Sequence, residues 1–106
     1  MSIKLILLKS GETLISDAKE IVSKEKEIVI GYILNNPHKV STNNPIIFLS
    51  EDENFNSKDK TVEITLSPWI LLTSSDDIPV STDWVVTVVN PIDSVQKLYE
   101  EKVNGN

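Results

Sequence analysis

The stretch Trp84-Val85-Val86-Thr87-Val88-Val89 constrains this chain more than any other. It is apolar at nearly every successive position, so neither of its alternating faces is polar. A strand of that kind needs cover on both sides. An earlier apolar run extends from Val62 to Leu72, and the polar segment 73–83 reads as the loop between them. In the earlier run Val62, Ile64 and Leu66 point one way while Glu63, Thr65 and Ser67 point the other. Pro68 lacks the ladder donor, so the strand must bulge, bend or lie at an edge there. Trp69 to Leu72 then continue it. Residues 61–90 therefore read as the last two strands of a mainly β domain, with Trp84, Val86 and Val88 facing inward and Val85 and Val89 outward.

The first half supplies three more strands. Residues 3–9 form the first, and Ser10-Gly11-Glu12 is a turn in which glycine can take a positive φ. Residues 13–22 form the second, whose polar centre Ser16-Asp17-Ala18-Lys19-Glu20 reads as solvent-facing or bent. After the charged turn 23–27, residues 27–34 form the third. Gly31 has no side chain to pack and marks a bulge or the close approach of another backbone. Asn35-Asn36-Pro37 and Asn43-Asn44-Pro45 are turn signals. Ile46 to Leu49 is a short apolar piece, so 3–49 holds the first three strands and a following segment. Residues 50–60 read as a mobile acidic loop. Residues 91–103 read as a C-terminal helix, with Asn90 as N-cap, Pro91 at N1 and Asp93 at N3. Val95, Leu98, Tyr99 and Lys102 would line its docking face.

A chain of 106 residues makes one domain, 1–106, whose modest core would gain from an oligomer interface. Cysteine is absent and His38 is the single histidine. Disulfides, thiolate zinc sites and histidine-rich metal sites are thereby excluded. No apolar stretch is long enough to span a bilayer, and Lys4 breaks the N-terminal run before any small-residue cleavage site. A cytoplasmic protein without a membrane partner is expected. Charge is lopsided: residues 1–50 carry six lysines against five acids, residues 51–106 four lysines against eleven, and the net charge is −6. All the basic residues are lysine. Arginine supplies the bidentate fork for phosphate and guanine, and an acidic chain lacks the counterion-release term of general nucleic-acid affinity. Any nucleic-acid contact must therefore use a local patch in the first half.

The candidates for chemistry each have a plainer reading. Asp76, Asp77 and Asp83 could gather a cation or act as an acid–base pair; a solvated, gatekeeping loop is the commoner explanation. Trp69 and Trp84 could be stacking platforms for bases, yet their apolar surroundings favour core or interface roles. Lys19, Lys24, Lys26 and Lys39, with His38, are the candidate nucleic-acid contacts. Glu25 and Glu27 partly neutralise the first group, and a lone turn histidine is commonly a surface residue. No Gly-rich phosphate loop, nucleophile elbow or paired metal-ligand motif is present. The expectation is a non-enzyme with no cofactor and no resident metal.

The turn Leu8-Lys9-Ser10-Gly11-Glu12-Thr13-Leu14, the strand 13–22 and the apolar strand 28–34 resemble the first motif of Sm-like proteins. The stretch from Ser67-Pro68-Trp69-Ile70 through Ile78-Pro79 to Asp83-Trp84-Val85-Val86-Thr87-Val88-Val89-Asn90-Pro91 is similar to uncharacterised Sm-like proteins of marine cyanophages. The resemblance implies a small five-stranded, bent antiparallel barrel in the cytoplasm of an infected bacterial host. It also implies a cyclic homo-oligomer that binds RNA or single-stranded DNA; a structural or protein-interaction ring is the alternative. Trp69, Ile70, Leu71, Leu72, Val85 and Val89 are the expected interface, with Trp69 to Leu72 as the pairing strand. Two departures stand out. The helix is C-terminal, and Ser74-Ser75-Asp76-Asp77 occupies the stretch matched to the family's basic base-binding loop.

Overall fold

The structure is a computed structural model that describes residues 2–42 and 63–105. The second Asn-Asn-Pro signal, the apolar piece 46–49 and the acidic loop 50–60 lie outside the described residues. The fold is mainly β, with one antiparallel sheet and one C-terminal helix. The strands are β1 (Ile3–Leu8), β2 (Thr13–Val22), β3 (Val29–Thr42), β4 (Ile64–Pro68), β5 (Asp77–Ser81) and β6 (Val85–Val89); the helix is α1 (Asp93–Val103). The order is β4-β3-β2-β1-β6, and β5 pairs with β3. Among the described residues β6 does not pair with β4 or β5, so the sheet is bent but open rather than a closed barrel.

The stretch expected to loop between the last strands contains a strand of its own. β4 pairs with the end of β3, from Thr42↔Ile64 to His38↔Pro68, and β5 pairs with its beginning, from Asn35↔Asp77 to Gly31↔Ser81. They behave as one long strand interrupted by residues 69–76, which face only Asn36 and Pro37. The Trp69 N–H donates to the Pro37 carbonyl at 3.0 Å and the Asn36 N–H to the Asp76 carbonyl at 2.7 Å, tying both ends of the excursion to one point. Pro68 ends pairing as its missing donor requires. Trp69 to Leu72 are a bend and turn rather than a strand, and Leu72 sits at φ 67°.

Asn35-Asn36-Pro37 does not end β3. It inserts a bulge: Ile15 faces His38 and Asp17 faces Asn35, so Ser16 alone opposes Asn36 and Pro37. Asn36 takes φ 51°, which asparagine tolerates. One extra residue turns every later side chain to the other face. Tyr32 and Leu34 accordingly pack with Ile6, Leu8, Leu14, Ala18 and Val80 on the concave face, whereas Val40 joins Ile3, Ile15 and Leu66 beneath α1.

The two apolar clusters line opposite faces of β1 and β2. Ile6 and Leu8 serve one cluster, Ile3 and Leu5 the other. β1 and the first half of β2 are thus buried on both sides, and β6 is not. The 3-10 turn Thr82–Trp84 leads into β6, where Leu8 pairs with Val85 and Leu7 with Thr87, leaving Val86 as an extra residue. That shift corrects the expected facing. Val85 and Val88 pack against the concave core, while Trp84, Val86 and Val89 are about half exposed.

Helix α1 starts at Asp93, and its N-cap Ile92 gives no side-chain bond. Asn90, the expected cap, instead accepts a hydrogen bond from the Lys4 ammonium. Val95 and Tyr99 are the buried helix residues and Val103 packs beside them, whereas Leu98 lies at the margin. The docking face is therefore 95/99/103. Tyr99 anchors it to the bulge: its hydroxyl donates to the Asn35 carbonyl at 2.8 Å, lies 3.2 Å from the Asn36 carbonyl and accepts from the Asp17 N–H at 3.2 Å. Ser16, in the stretch expected to face solvent or bend, is completely buried at the register shift and donates to the same Asn35 carbonyl at 2.9 Å. A bulge leaves backbone groups off the ladder, and these two hydroxyls satisfy them.

Candidate nucleic-acid interface

The proposed contacts fall into separate places. Lys24 and Lys26 lie in the exposed turn joining β2 to β3, with Glu25 and Glu27 beside them. Lys39 pairs with Leu14 near the far end of the same ladder. Eight steps along β2, from Val22 to Leu14, separate the two ends, roughly 26 Å of strand at the usual rise. Lys19 is exposed between them, opposite Ile33. No single patch collects all four lysines.

His38 does not reach solvent as a turn residue would. It is only 9% exposed, its ring meets Tyr99 edge to face at 5.8 Å, and Nδ1 lies 2.9 Å from the Asn36 carbonyl. A carbonyl oxygen only accepts, so Nδ1 carries a proton and Nε2 is an acceptor in the neutral ring. Its burial follows from the bulge, which turns position 38 toward the helix side. As a stacking surface for a base it is closed off.

An open groove of about 610 Å³ lies beside Lys19, and its lining includes Lys4, Asp17, Lys19, Glu20, Tyr32 and Val88. Lys4 and Tyr32 bring a cation and an aromatic ring that the sequence reading had not grouped with Lys19. They meet because the β1–β2–β3 ladder places residues 4, 18–20 and 32 on neighbouring strands. Asp17 and Glu20 offset both cations, so the groove suits a mixed-charge contact better than a phosphate chain.

The loop aspartates do not converge. Asp77 accepts from the Asn35 side-chain amide at 2.8 Å at the start of β5, whereas Asp83 lies past its end, in the 3-10 turn. Among the described residues no group of three or more histidines and carboxylates is placed to hold a metal ion.

Of the expected interface residues, Trp69 and Val85 are half-buried against the concave core, while Ile70, Leu71, Leu72 and Val89 are exposed. Two sheet edges lie open nearby. β6 ends the strand order, and β5 pairs only with β3 among the described residues. Pro79 sits within β5, a position proline takes on edge strands. Trp84 and Val86 add exposed apolar surface at the corner between these edges.

No helix among the described residues is long and apolar enough to cross a membrane. The sequence matches no protein-family model, and no curated protein aligns with it.

Proposed function

We propose that this chain is an Sm-like protein, of the cyanophage kind its sequence resembles, that assembles into a homo-oligomeric ring and contacts RNA or single-stranded DNA. The observation that carries the reading is the pair of open edges on β5 and β6, joined by a 3-10 turn and bordered by exposed Trp84, Val86 and Val89. Unpaired edges are templates for another chain, and a head-to-tail pairing closes into a ring when the rotation per subunit divides the circle. With Trp69 to Leu72 folded as a turn, β5 is the strand available to pair with a neighbour's β6. Nucleic acid would run past Lys19, Lys24 and Lys26, and Lys39 lies too far along the ladder to join them.

A structural ring that binds no nucleic acid is the second reading. The net charge of −6, the absence of arginine, the scattered lysines and the buried His38 favour it. One experiment separates the two. Light scattering at micromolar concentration reads assembly, and an oligonucleotide titration at two salt concentrations reads binding. Binding that weakens with salt, and weakens further when Lys19, Lys24 and Lys26 become glutamine, supports the first reading. An intact ring with no binding at low salt supports the second. A monomer defeats both.

A further inference from the structure

The excursion between β4 and β5 borders an open pocket of about 150 Å³ that the ring reading does not use. Its lining combines Pro37, Pro68, Ile70 and Ile78 with the polar residues Asn36, His38, Thr73, Ser75 and Asp76. His38 is more than nine-tenths buried with Nδ1 committed to the Asn36 carbonyl, and Nε2 has no protein partner among the described residues. A buried polar atom without a partner requires an explanation.

Acceptors and one negative charge lead among the polar side chains, beside the Asn36 amide. With Nδ1–H given to the Asn36 carbonyl, Nε2 can accept, as do the Asp76 carboxylate and the Thr73 and Ser75 hydroxyl oxygens. The lining holds no lysine, so an anion would meet the Asp76 charge uncompensated. The complementary ligand is a compact cation rich in donors, with an apolar body to lie against proline and isoleucine. We infer that this pocket binds a primary ammonium on a methylene stem, as carried by a lysine side chain or an aliphatic diamine. An ammonium has three donors, enough for Asp76, one hydroxyl and His38 Nε2. The stem would lie along Ile70 and Ile78, as lysine methylenes commonly lie along apolar surface.

Because the chain has a single histidine, its ring signals can be followed without assignment ambiguity. The intact protein is titrated with 1,5-diaminopentane and with Nα-acetyl-lysine methylamide while the His38 ring nitrogens are observed by NMR. A saturable shift of Nε2 is expected. Saturation by the diamine alone assigns a free amine, and saturation by the lysine derivative assigns a protein side chain; either supports the site. Butanol should leave the resonance in place. Asp76→Asn keeps the backbone bond to Asn36 and should weaken binding roughly tenfold or more, the usual effect of removing a charged hydrogen-bond partner. Ser75→Ala should weaken it less. No saturable shift from either amine, an equal shift from butanol, or full affinity in Asp76→Asn would each overturn the inference.

Discussion

Replacing Tyr99 with phenylalanine tests whether the helix is fastened to the bulge through one hydroxyl. Tyr99 is 2% exposed, and its ring would stay in place. The Asn35 carbonyl would keep the Ser16 hydroxyl at 2.9 Å, but the Asp17 N–H would lose the oxygen at 3.2 Å. Leaving a buried donor unsatisfied costs about 1–3 kcal/mol. For a domain of this size each kcal/mol lowers Tm by roughly 4–8 °C. The same hydroxyl predicts a pH signature. Burial pushes the Tyr99 phenol above its ordinary value; the bond from the Asp17 N–H opposes this, the Asp17 carboxylate adds to it, and Ser16 opposes it again. The folded state therefore holds the proton more tightly than the unfolded state. Stability from the neutral phenol is fully present below the unfolded pKa of about 10 and is lost as pH rises through the higher folded value. The stability gap between the parent and Tyr99→Phe should be constant from pH 7 to pH 9 and narrow above about pH 10. Urea denaturation followed by circular dichroism across that range measures both. A variant within about 0.5 kcal/mol of the parent at pH 7, with an unchanged gap in alkali, would refute the fastening.

Four further substitutions test the sheet and its edges. A Cβ at Gly31 would lie 2.7 Å from the Val80 carbonyl oxygen, so Gly31→Ala should push β5 from β3, cost about 1–3 kcal/mol and impair assembly; unchanged denaturation and light scattering would count against that pairing. Trp84 is 48% exposed, so Trp84→Ala should cost less than the 3–5 kcal/mol typical of a core aromatic. Val86→Glu should leave a folded monomer while Val85→Glu, directed at the core, should unfold; the reverse pattern by circular dichroism and light scattering would overturn the facing of β6.

Much of the fold was legible because it rests on local pattern. The apolar run 3–9, the stretch 13–22 bounded by turn signals, glycine in the 10–12 turn and the apolar spacing at Val95 and Tyr99 mark β1, β2, their hairpin and the helix. Pro68 marked an interruption whose cause, a missing N–H, is written in the residue itself. Gly31 announced a close backbone approach, though not that the backbone belonged to Val80. The exposure of Lys19, Lys24, Lys26 and Lys39 was also readable, but not their separation along the β2–β3 ladder.

Tertiary structure decided what depends on partners distant in sequence. Asn35-Asn36-Pro37 carries the same turn chemistry whether it ends a strand or bulges it, and only the register against Ser16 selects the bulge. That single extra residue buried His38 and brought Tyr99 across 64 positions to the Asn35 carbonyl. Likewise Asp77 to Ser81 lacks the length and apolar content of a self-evident strand, and becomes one because β3 offers an open edge. Val86 slips the register of β6 and reverses the faces that simple alternation assigned to Trp84, Val85 and Val86, while Val88 stays inward and Val89 outward. Period-two patterning fixes which residues share a face only until a residue is inserted. Where the insertion falls is set by the partner strand, which local sequence does not contain.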